Sequence, residues 1–379
     1  MGIPVWLAAT TTGYTAAARL PREFARAGFD VSVLAPKGAL IAESRHVAGV
    51  SLLPDTATPM QWLYVLAASV DKQPPRLIVP CDETTLHLMM LLVESPPEGL
   101  GQPVLQRLIV LIRESLGTPD FYRTTIDKTL LPAAAQDAGI NVPSYAVVSD
   151  LNAARTFAKM NGYPVVLKRP FSTLGEPVEF VADDEALTLA FRKLFSEVRA
   201  SLLNATTLLI QGWVPGKVLL HAAAAWKGVT IAGMTREVVM SMSMVGPSSV
   251  VRCRAEPEIR CLSETLAAHF GISGFLETKF IKLERTGEVC LIEINRRPTN
   301  GVHLAAMVGI DLCGALASAL QGSAYPNRTD LFANEEHLIA EFPEEWLRDA
   351  RSSYLHSTRT DIPWGDPSLL RAILASRNN

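Results

Sequence analysis

The sequence predicts an α/β protein that begins with an open parallel sheet and continues into a mixed α+β region. Three apolar runs, at residues 3–10, 30–35 and 76–80, are typical of buried strands. The stretches 14–27 and 62–70 lie between these runs and have the apolar spacing of helices. Strands that alternate with helices along a chain form a parallel sheet with helices on its faces.

Length and charge narrow the class of protein. A chain of 379 residues is longer than one hydrophobic core usually supports, so we expect two or three domains. The formal net charge is only -3, and the sequence has no basic stripe. Nucleic-acid binding normally needs such a stripe, so we expect small-molecule partners and no nucleic acid.

The cysteines and the N-terminus indicate the compartment. The five cysteines are scattered, odd in number and without C-x-x-C pairs, which is typical of reduced thiols rather than disulfides or a zinc site. The first residues lack the basic region of a signal peptide, and no apolar run reaches transmembrane length. We therefore expect a cytoplasmic protein without a membrane partner, and we leave a homodimer open.

The edge of the first predicted sheet supplies candidate substrate contacts. Ligands of open parallel sheets lie beyond the carboxyl ends of the strands. Residues 10–12 and 82–85 follow two of the predicted strands and are polar. The phosphate-binding patterns G-x-G-x-x-G after the first strand and G-x-x-x-x-G-K-[ST] are missing. A Rossmann-type oxidoreductase is therefore disfavoured.

The remaining elements are shorter and less regular. A linker with helices is expected over 95–138, followed by a strand at 144–148 and a helix at 152–160. The strand at 162–169 ends in two cations. The later elements are a strand at 208–216, a hairpin of 221–226 and 229–235, a loop at 245–249, and helices at 261–270 and 303–320.

The most informative segment is a hairpin over residues 277–297 with a tight turn at 284–287. Residues two apart on a strand share a face, roughly 6–7 Å apart, so Glu293, Asn295 and Arg297 point the same way. A carboxylate beside an amide oxygen suits Mg²⁺, and an arginine beside them suits a phosphate or an oxyanion. A solvated strand edge would show the same triplet, but its apolar neighbours indicate a core boundary. The hairpin therefore indicates nucleoside triphosphate chemistry.

Four motifs in chain order resemble the ATP-grasp superfamily of ligases over roughly residues 120–321. They are Asp127-Lys128, the strand Tyr163-Pro-Val-Val-Leu-Lys168, the hinge strand Leu209-Ile-Gln-Gly-Trp-Val-Pro-Gly216, and Glu293-Ile-Asn295 followed by Arg297. The first sheet resembles the pre-ATP-grasp domain that usually precedes this fold. Resemblance to bacterial carboxylate–amine ligase-like members is carried by residues 75–82, 113–117, 226–228, 342–349 and 361–366.

The resemblance implies a fold, a domain division and an activity. The fold would be a pre-ATP-grasp open parallel sheet followed by a two-lobed ATP-grasp fold. The domains would be a Rossmann-like domain at 1–118, an ATP-grasp domain at 119–325 with its smaller lobe at about 145–216, and a C-terminal extension at 326–379. The activity would be an ADP-forming ligation, in which ATP phosphorylates a carboxylate and an amine or a thiol displaces the phosphate.

The resemblance also implies roles for single residues. Lys128 and Lys168 would contact the nucleotide phosphates, and Lys168 and Arg297 would act in catalysis by stabilising charge. The ligands of Mg²⁺, or of Mn²⁺ in its place, would be Glu293 and Asn295. Contacts to the adenine of ATP would come from Gln211, Gly212, Trp213, Val214 and Ile292.

Two departures from the family pattern leave the activity open. Lys279 stands where the family has a second metal carboxylate, and a charged lysine does not ligate Mg²⁺. Either Glu277 replaces that metal ligand, which needs an even hairpin register, or Lys279 pairs with Glu293 and takes the metal's place. The loop 170–177 has one glycine where backbone N–H groups must approach phosphate. The alternative to a ligase is a catalytically impaired protein that binds nucleotide or metabolite as a partner or sensor.

Substrate contacts are expected among scattered polar residues. Arg236, Arg252 and Arg254 are candidates for binding a carboxylate or a triphosphate. Residues 248–249 and 300–303 are candidates for lining the acceptor pocket.

Overall fold

The computed structural model describes residues 2–54, 56–97, 102–171, 178–199, 206–244, 246–326 and 336–376. Parts of the segments considered above lie outside the described residues: 98–101 of the predicted linker, 172–177 of the glycine-poor loop, Val245 of the loop at 245–249, and 327–335 with 377–379 of the C-terminal extension. Within the described ranges the chain forms three sheets.

The first sheet is parallel, as the sequence predicts. Its elements are β1 (Ile3–Ala8), α1 (Thr15–Arg26), β2 (Phe29–Pro36), β3 (Gly49–Leu53), α2 (Pro59–Lys72), β4 (Leu77–Pro80), α3 (Glu83–Glu94) and α4 (Gln102–Leu116). The strand order is β3-β2-β1-β4. The prediction missed β3, because this edge strand is not a buried apolar run: Val50 is 45% exposed and Leu52 57%. It also missed α3, which begins at the residues predicted as substrate contacts.

The second sheet is antiparallel and forms a small lobe. The elements from the end of α4 to this sheet are α5 (Tyr122–Ile126), α6 (Leu131–Asp137), β5 (Tyr145–Val148), α7 (Leu151–Asn161), β6 (Val165–Lys168), β7 (Glu179–Val181), α8 (Asp184–Arg199) and β8 (Leu208–Gly212). The strand order is β5-β8-β6-β7. Val165 and Leu167 pack against Phe157 of α7 and Leu194 of α8, so the helices cover one face of this sheet.

The third sheet is the largest and carries the hairpin. Its elements and the helices around it are β9 (Gly216–Trp226), β10 (Val229–Ser241), β11 (Ser248–Arg254), α9 (Pro257–His269), β12 (Gly274–Leu283), β13 (Val289–Asn295), α10 (Gly301–Met307), α11 (Leu312–Gln321), β14 (His337–Ala340), α12 (Glu344–Arg348), α13 (Tyr354–Ser357), β15 (Arg359–Thr360) and α14 (Pro367–Ala375). The strand order is β13-β12-β9-β10-β11-β14-β15. The C-terminal strands β14 and β15 therefore complete the sheet that contains the hairpin.

The prediction of one helix over 303–320 is wrong, because two helices, α10 and α11, occupy this stretch. Gly309 has a φ of +89° between them, a conformation that ends a helix readily only at glycine. Asp311 then caps α11, since its Oδ1 accepts a hydrogen bond of 2.7 Å from the Gly314 N–H. The prediction also missed β11, part of which it treated as a loop.

One hydrophobic core joins the first sheet to the third. It contains Leu7 and Phe24 from the first sheet and its helix α1, and Ala224 and Phe275 from the third sheet. The rings of Phe24 and Phe275 lie 5.9 Å apart in an edge-to-face contact. The polar loops of the first sheet are therefore packed in a fixed position beside the hairpin.

No single helix in the described ranges is both long enough and apolar enough to cross a membrane. The helices α10 and α11 reach that length and composition only as a pair bent by 98°.

Gly117 lies where α4 meets the third sheet, and we predict that it tolerates no side chain. Its φ is +91°, and a Cβ there would overlap the Gly271 carbonyl oxygen. We expect Gly117→Ala to lower the free energy of unfolding by about 3 kcal/mol, measured by urea denaturation. Gly139→Ala is the matched control, because its φ is +74° with open space around it, and it should cost about 1 kcal/mol. Equal costs would contradict the steric argument.

Candidate functional site

The hairpin β12–β13 has the even register. Glu277 lies opposite Asn295, and Lys279 lies opposite Glu293. These four residues therefore share one face, and with Arg297 they line a cavity of about 860 Å³. The ladder shifts between Lys279 and Phe280, so that Ile292 is an extra residue on β13. Such a bulge changes the direction of nearby groups, and the Ile292 carbonyl oxygen lies 3.5 Å from Lys168 Nζ, which donates to it.

Three lysines surround the Glu293 carboxylate. Lys128 Nζ lies 3.3 Å from Glu293 Oε1 in an ion pair. Lys128 belongs to the turn that precedes α6, where its backbone N–H donates a hydrogen bond of 2.8 Å to the Pro170 carbonyl oxygen. Lys168 ends β6, and the alternation of that strand turns it away from the helices and towards the hairpin. Lys279 approaches from the opposite strand.

Burial and charge shift the pKa values of this cluster in opposite directions. Burial lowers the pKa of Lys168 from its usual 10.5 to about 7, although Glu293 opposes this change. Burial would raise the pKa of Glu293, but the three ammonium groups hold it at about 2. Glu293 is therefore ionised at neutral pH, and Lys168 has a protonation state that an incoming anion would change.

A second, narrower cavity lies between the small lobe and the hairpin. Its volume is about 80 Å³, and its lining includes Lys168, Trp213, Ile292 and Glu293. Lys279 and Glu293 line both this cavity and the larger one, so the two cavities meet at the lysine cluster. A mostly apolar slot beside charged groups suits a planar base whose phosphates extend to those groups.

Two backbone N–H groups at the end of the hinge strand already donate hydrogen bonds within the small lobe. The Gly212 N–H donates a hydrogen bond of 2.8 Å to the Ser144 carbonyl oxygen, and the Trp213 N–H donates one of 3.2 Å to Pro164. These two N–H groups are therefore already paired within the lobe, and the expected contacts of residues 211–214 to a base stay a prediction. The Trp213 ring packs edge-on against Phe180 at 5.0 Å. Val214 lies beyond the end of β8, where the backbone has left the strand.

Glu277 faces the cavity but serves another partner. Its Oε2 accepts hydrogen bonds from Arg236 Nη2 at 2.5 Å and from Thr299 Oγ1 at 2.7 Å. Arg236 is 2% exposed, and this ion pair neutralises a buried guanidinium. No local sequence pattern reveals this pairing, since Arg236 lies 41 residues away along the chain, and the role of Glu277 as a metal ligand stays a prediction.

Among the described residues on this face of the hairpin, Glu293 and Asn295 are therefore the oxygen donors that are not paired with an arginine. One carboxylate with one amide oxygen fits a single Mg²⁺ that takes its other ligands from phosphate and water. The described residues contain no group of three or more His, Cys, Asp or Glu side chains placed to hold a metal ion. The site fits phosphates and one Mg²⁺, and it does not fit a metal held between two free carboxylates.

Arg297 is fixed by two residues of the first sheet. Its Nε donates a hydrogen bond of 2.8 Å to Glu83 Oε1, and its Nη1 donates one of 2.6 Å to the Tyr14 hydroxyl. Burial would lower the pKa of Arg297, but Tyr14 and Glu83 raise it above its usual value. The role of Tyr14 was missed. Its position after β1, at the edge where parallel sheets bind ligands, was the available signal.

The residues predicted as substrate contacts at this edge divide into two groups. Residues 10–12 line the large cavity. Asp82 is fully buried and accepts hydrogen bonds from the backbone N–H groups of Thr10 at 2.6 Å and Thr11 at 3.0 Å. It also caps α3 through the Thr85 N–H at 2.8 Å. Asp82 therefore shapes the loop and is not placed to contact a substrate.

The other predicted substrate contacts are also separated by the structure. Arg252 and Arg254 pair with Glu237 and lie outside the lining of the large cavity. Ser249 and His303 bond elsewhere, to Glu345 and to Asp361.

Ser248 and Asn300 line the large cavity, and both donate hydrogen bonds to Glu341, at 2.5 Å and 2.6 Å. Burial raises the pKa of Glu341 to about 7. The Glu341 carboxyl is therefore part of the wall behind this end of the cavity.

Comparison with known families identifies a match to half of the chain. The family described as "Carbamoyl-phosphate synthase L chain, ATP binding domain" matches residues 127–324. The carbamoyl phosphate synthase large chain of Vibrio parahaemolyticus is 24% identical over 219 residues, which are 55% of this chain and 20% of that protein. That of Rubrobacter xylanophilus is 25% identical over 257 residues, 63% of this chain and 24% of that protein. The chain thus spans about a fifth to a quarter of these relatives.

Solved structures share the fold over most of the chain. The biotin carboxylase domain dimer of Hydrogenobacter thermophilus 2-oxoglutarate carboxylase, in complex with MgADP, ADP and bicarbonate, has a TM-score of 0.67 and 16% identity, covering 88% of this chain and 73% of that one. Campylobacter jejuni biotin carboxylase has a TM-score of 0.66 and 15% sequence identity, and the match covers 88% of this chain and 74% of that one. Staphylococcus aureus N5-carboxyaminoimidazole synthetase complexed with ADP has a TM-score of 0.59 and 14% sequence identity, and the match covers 86% of this chain and 79% of that one. These likenesses confirm the expected fold.

We predict that Lys168 lowers the stability of the fold. A buried lysine with a depressed pKa destabilises the folded state fully below the folded pKa of about 7, and this penalty fades as pH rises towards the usual 10.5. Lys168→Met should therefore raise the free energy of unfolding by about 1–3 kcal/mol at pH 7, with a smaller gain at pH 9.

The opposite change supplies the control. Glu293→Gln leaves three ammonium groups without their carboxylate and should lower the free energy of unfolding in the same urea titration. A loss of stability in Lys168→Met, or a gain that grows with pH, would contradict the assignment of Lys168 as a destabilising charge.

Proposed function

Because this chain belongs to the ATP-grasp family of the carbamoyl-phosphate synthase L chain ATP-binding domain, we propose that it is an ATP-dependent ligase. It would join a carboxylic acid to an amine or a thiol through an acyl phosphate, with ADP and phosphate as products. The observation that carries this proposal is the cluster of three lysines around Glu293, placed where a mostly apolar slot meets the large cavity.

The nucleotide would bind across the junction of the two cavities. Its base would occupy the slot between the hinge strand and Ile292, with Trp213 and Val214 at its rim. Its phosphates would extend to Lys128 and Lys168, which supply positive charge from two sides. Glu293 and Asn295 would hold a Mg²⁺ ion, which supplies further charge neutralisation when it is bound.

The acid would occupy the large cavity, beside the loop 10–12. A carboxylate oxygen would attack the terminal phosphorus of ATP, and ADP would leave with the electron pair of the broken bond. The amine or thiol would then attack the acyl carbon, and phosphate would leave. Arg297, held by Glu83 and Tyr14, would stabilise the charge on the acyl phosphate without needing to reorient.

Some features of the relatives support narrower proposals. The structural neighbour from Hydrogenobacter thermophilus was solved as a dimer with bicarbonate. A homodimer and a small acid such as bicarbonate are therefore reasonable starting points for this chain. For the nucleophile, the proposal specifies only the chemical class, an amine or a thiol.

The second candidate function is nucleotide binding without turnover. The observation that favours it is Lys279, which lies opposite Glu293 where a second metal ligand would be needed for family-like chemistry. A protein of this kind would bind ATP as a partner or sensor and would form no ADP with any acid.

Hydroxylamine trapping distinguishes the two functions. Hydroxylamine intercepts acyl phosphates as hydroxamates, so a panel of acids can be screened without knowing the natural nucleophile. We expect hydroxamate and ADP in equal amounts with at least one acid. Arg297→Lys should lower the rate by about 100-fold or more, because a lysine does not reproduce the two fixed hydrogen bonds.

The matched control is Arg285→Lys in the exposed hairpin turn, which should leave the rate unchanged. Binding of an ATP analogue without hydroxamate from any acid would favour the sensor. Absence of nucleotide binding would overturn both functions.

We predict that nucleotide binding takes up a proton at Lys168. The free protein holds this lysine near half-protonation at pH 7, and phosphate favours the charged form. Binding of a non-hydrolysable ATP analogue should therefore take up about half a proton more in the natural chain than in Lys168→Arg, whose guanidinium stays charged. The measurement is the calorimetric enthalpy in two buffers of different ionisation enthalpy. Equal buffer dependence of the two proteins would contradict this prediction.

A further inference from the structure

Lys279 is the one lysine of the cluster that the nucleotide-binding motifs do not explain. We propose that its ammonium group takes the place of one divalent cation, so that this site binds a nucleoside triphosphate with at most one Mg²⁺ and with weak dependence on it. The inference rests on the proposed nucleotide site, and it concerns the cation requirement rather than the ligase reaction.

The position of Lys279 carries the first step. It lies directly across the hairpin from Glu293, and both residues line the slot and the large cavity. The terminal phosphate of a nucleotide whose base fills the slot would lie at this junction. If this phosphate is transferred to an acid in the large cavity, it passes the junction, and a cation at the junction contacts it during the transfer.

Glu277 does not supply a free carboxylate in place of the missing metal ligand. Its Oε2 already accepts from Arg236 and Thr299, and it is 6% exposed. Nε and Nη1 of Arg236 have no hydrogen-bond partner among the described residues, so Glu277 is the main neutralising contact of this guanidinium. A metal that drew Glu277 away from Arg236 would leave a buried charge unpaired, which is strongly unfavourable.

The charge balance gives the third step. Lys128 Nζ lies 3.3 Å from Glu293 Oε1, Lys279 lies opposite Glu293 across the hairpin, and Lys168 lines the same slot. The cluster therefore has more cationic side chains than carboxylates, and the excess positive charge is available to a polyphosphate. A second metal ion would add two further positive charges beside Lys279, and the part of the site that the structure describes has no free carboxylate to compensate them.

The test measures nucleotide affinity as a function of Mg²⁺. Calorimetry with a non-hydrolysable ATP analogue, in chelator and in excess Mg²⁺, should give affinities within about threefold of each other for the natural chain. Lys279→Glu should weaken binding in chelator by about tenfold or more and regain affinity with Mg²⁺. Counting bound Mn²⁺ by its paramagnetic resonance should give at most one ion per complex in the natural chain and two in Lys279→Glu.

Two further variants keep the result interpretable. Arg285→Glu makes the same charge change in the exposed turn of the hairpin and should behave like the natural chain. Lys279→Gln removes the cation without adding a ligand, and it should weaken binding in chelator with little recovery in Mg²⁺. It serves as the test if the glutamate variant does not fold.

The inference is overturned if the natural chain binds the analogue only with Mg²⁺, or if it holds two Mn²⁺ ions per complex. It is also overturned if Lys279→Gln binds in chelator as tightly as the natural chain. Failure of the ligase proposal has a different signature, because binding in chelator would persist while no acid yields a hydroxamate.

Discussion

The ion cluster centred on Glu293 is the interaction on which the rest of the site depends. A half-buried carboxylate is stabilised by positive neighbours, and here the neighbours come from the turn before α6, from β6 and from β12. The cluster therefore holds the small lobe against the hairpin and creates the junction of the two cavities. Its lysines outnumber its carboxylate, so the site is preorganised for an anion before any ligand arrives.

The first sheet contributes residues to this site: its loops line the large cavity, and its side chains hold Arg297. Asp82 fixes the loop after β1 through the N–H groups of Thr10 and Thr11. That loop lines the large cavity, and Tyr14 at its end holds Arg297 together with Glu83. The contact between Phe24 and Phe275 belongs to the core that joins the first sheet to the third, and this core keeps the loops beside the hairpin. An isolated ATP-binding domain would lack both the anchor of Arg297 and one wall of the cavity.

Sequence periodicity predicts the face of the hairpin that carries Glu293 and Asn295, but it does not predict the side-chain contacts around that face. The two-residue repeat of a strand placed Glu293 and Asn295 on one face, because it is a local property. The ion pair of Glu277 with Arg236 joins positions far apart in the chain, and no local pattern reveals it. The bulge at Ile292 likewise depends on how two strands meet. The helix break was different, because Gly309 and Asp311 are a readable stop and start signal.

Lys279 changes how the site could align a phosphoryl group. Phosphoryl transfer needs charge neutralisation and alignment, and an ammonium group on a strand supplies the first without having to be recruited from solution. It cannot hold two oxygens at fixed angles as a metal ion does, since its donors rotate freely. Alignment would then fall to groups that are already immobile. Arg297, with its two fixed hydrogen bonds, meets this requirement better than any lysine of the cluster. A ligase built on this hairpin would therefore depend more on its arginine, and on the first sheet that holds it, than one with a full set of metal ligands.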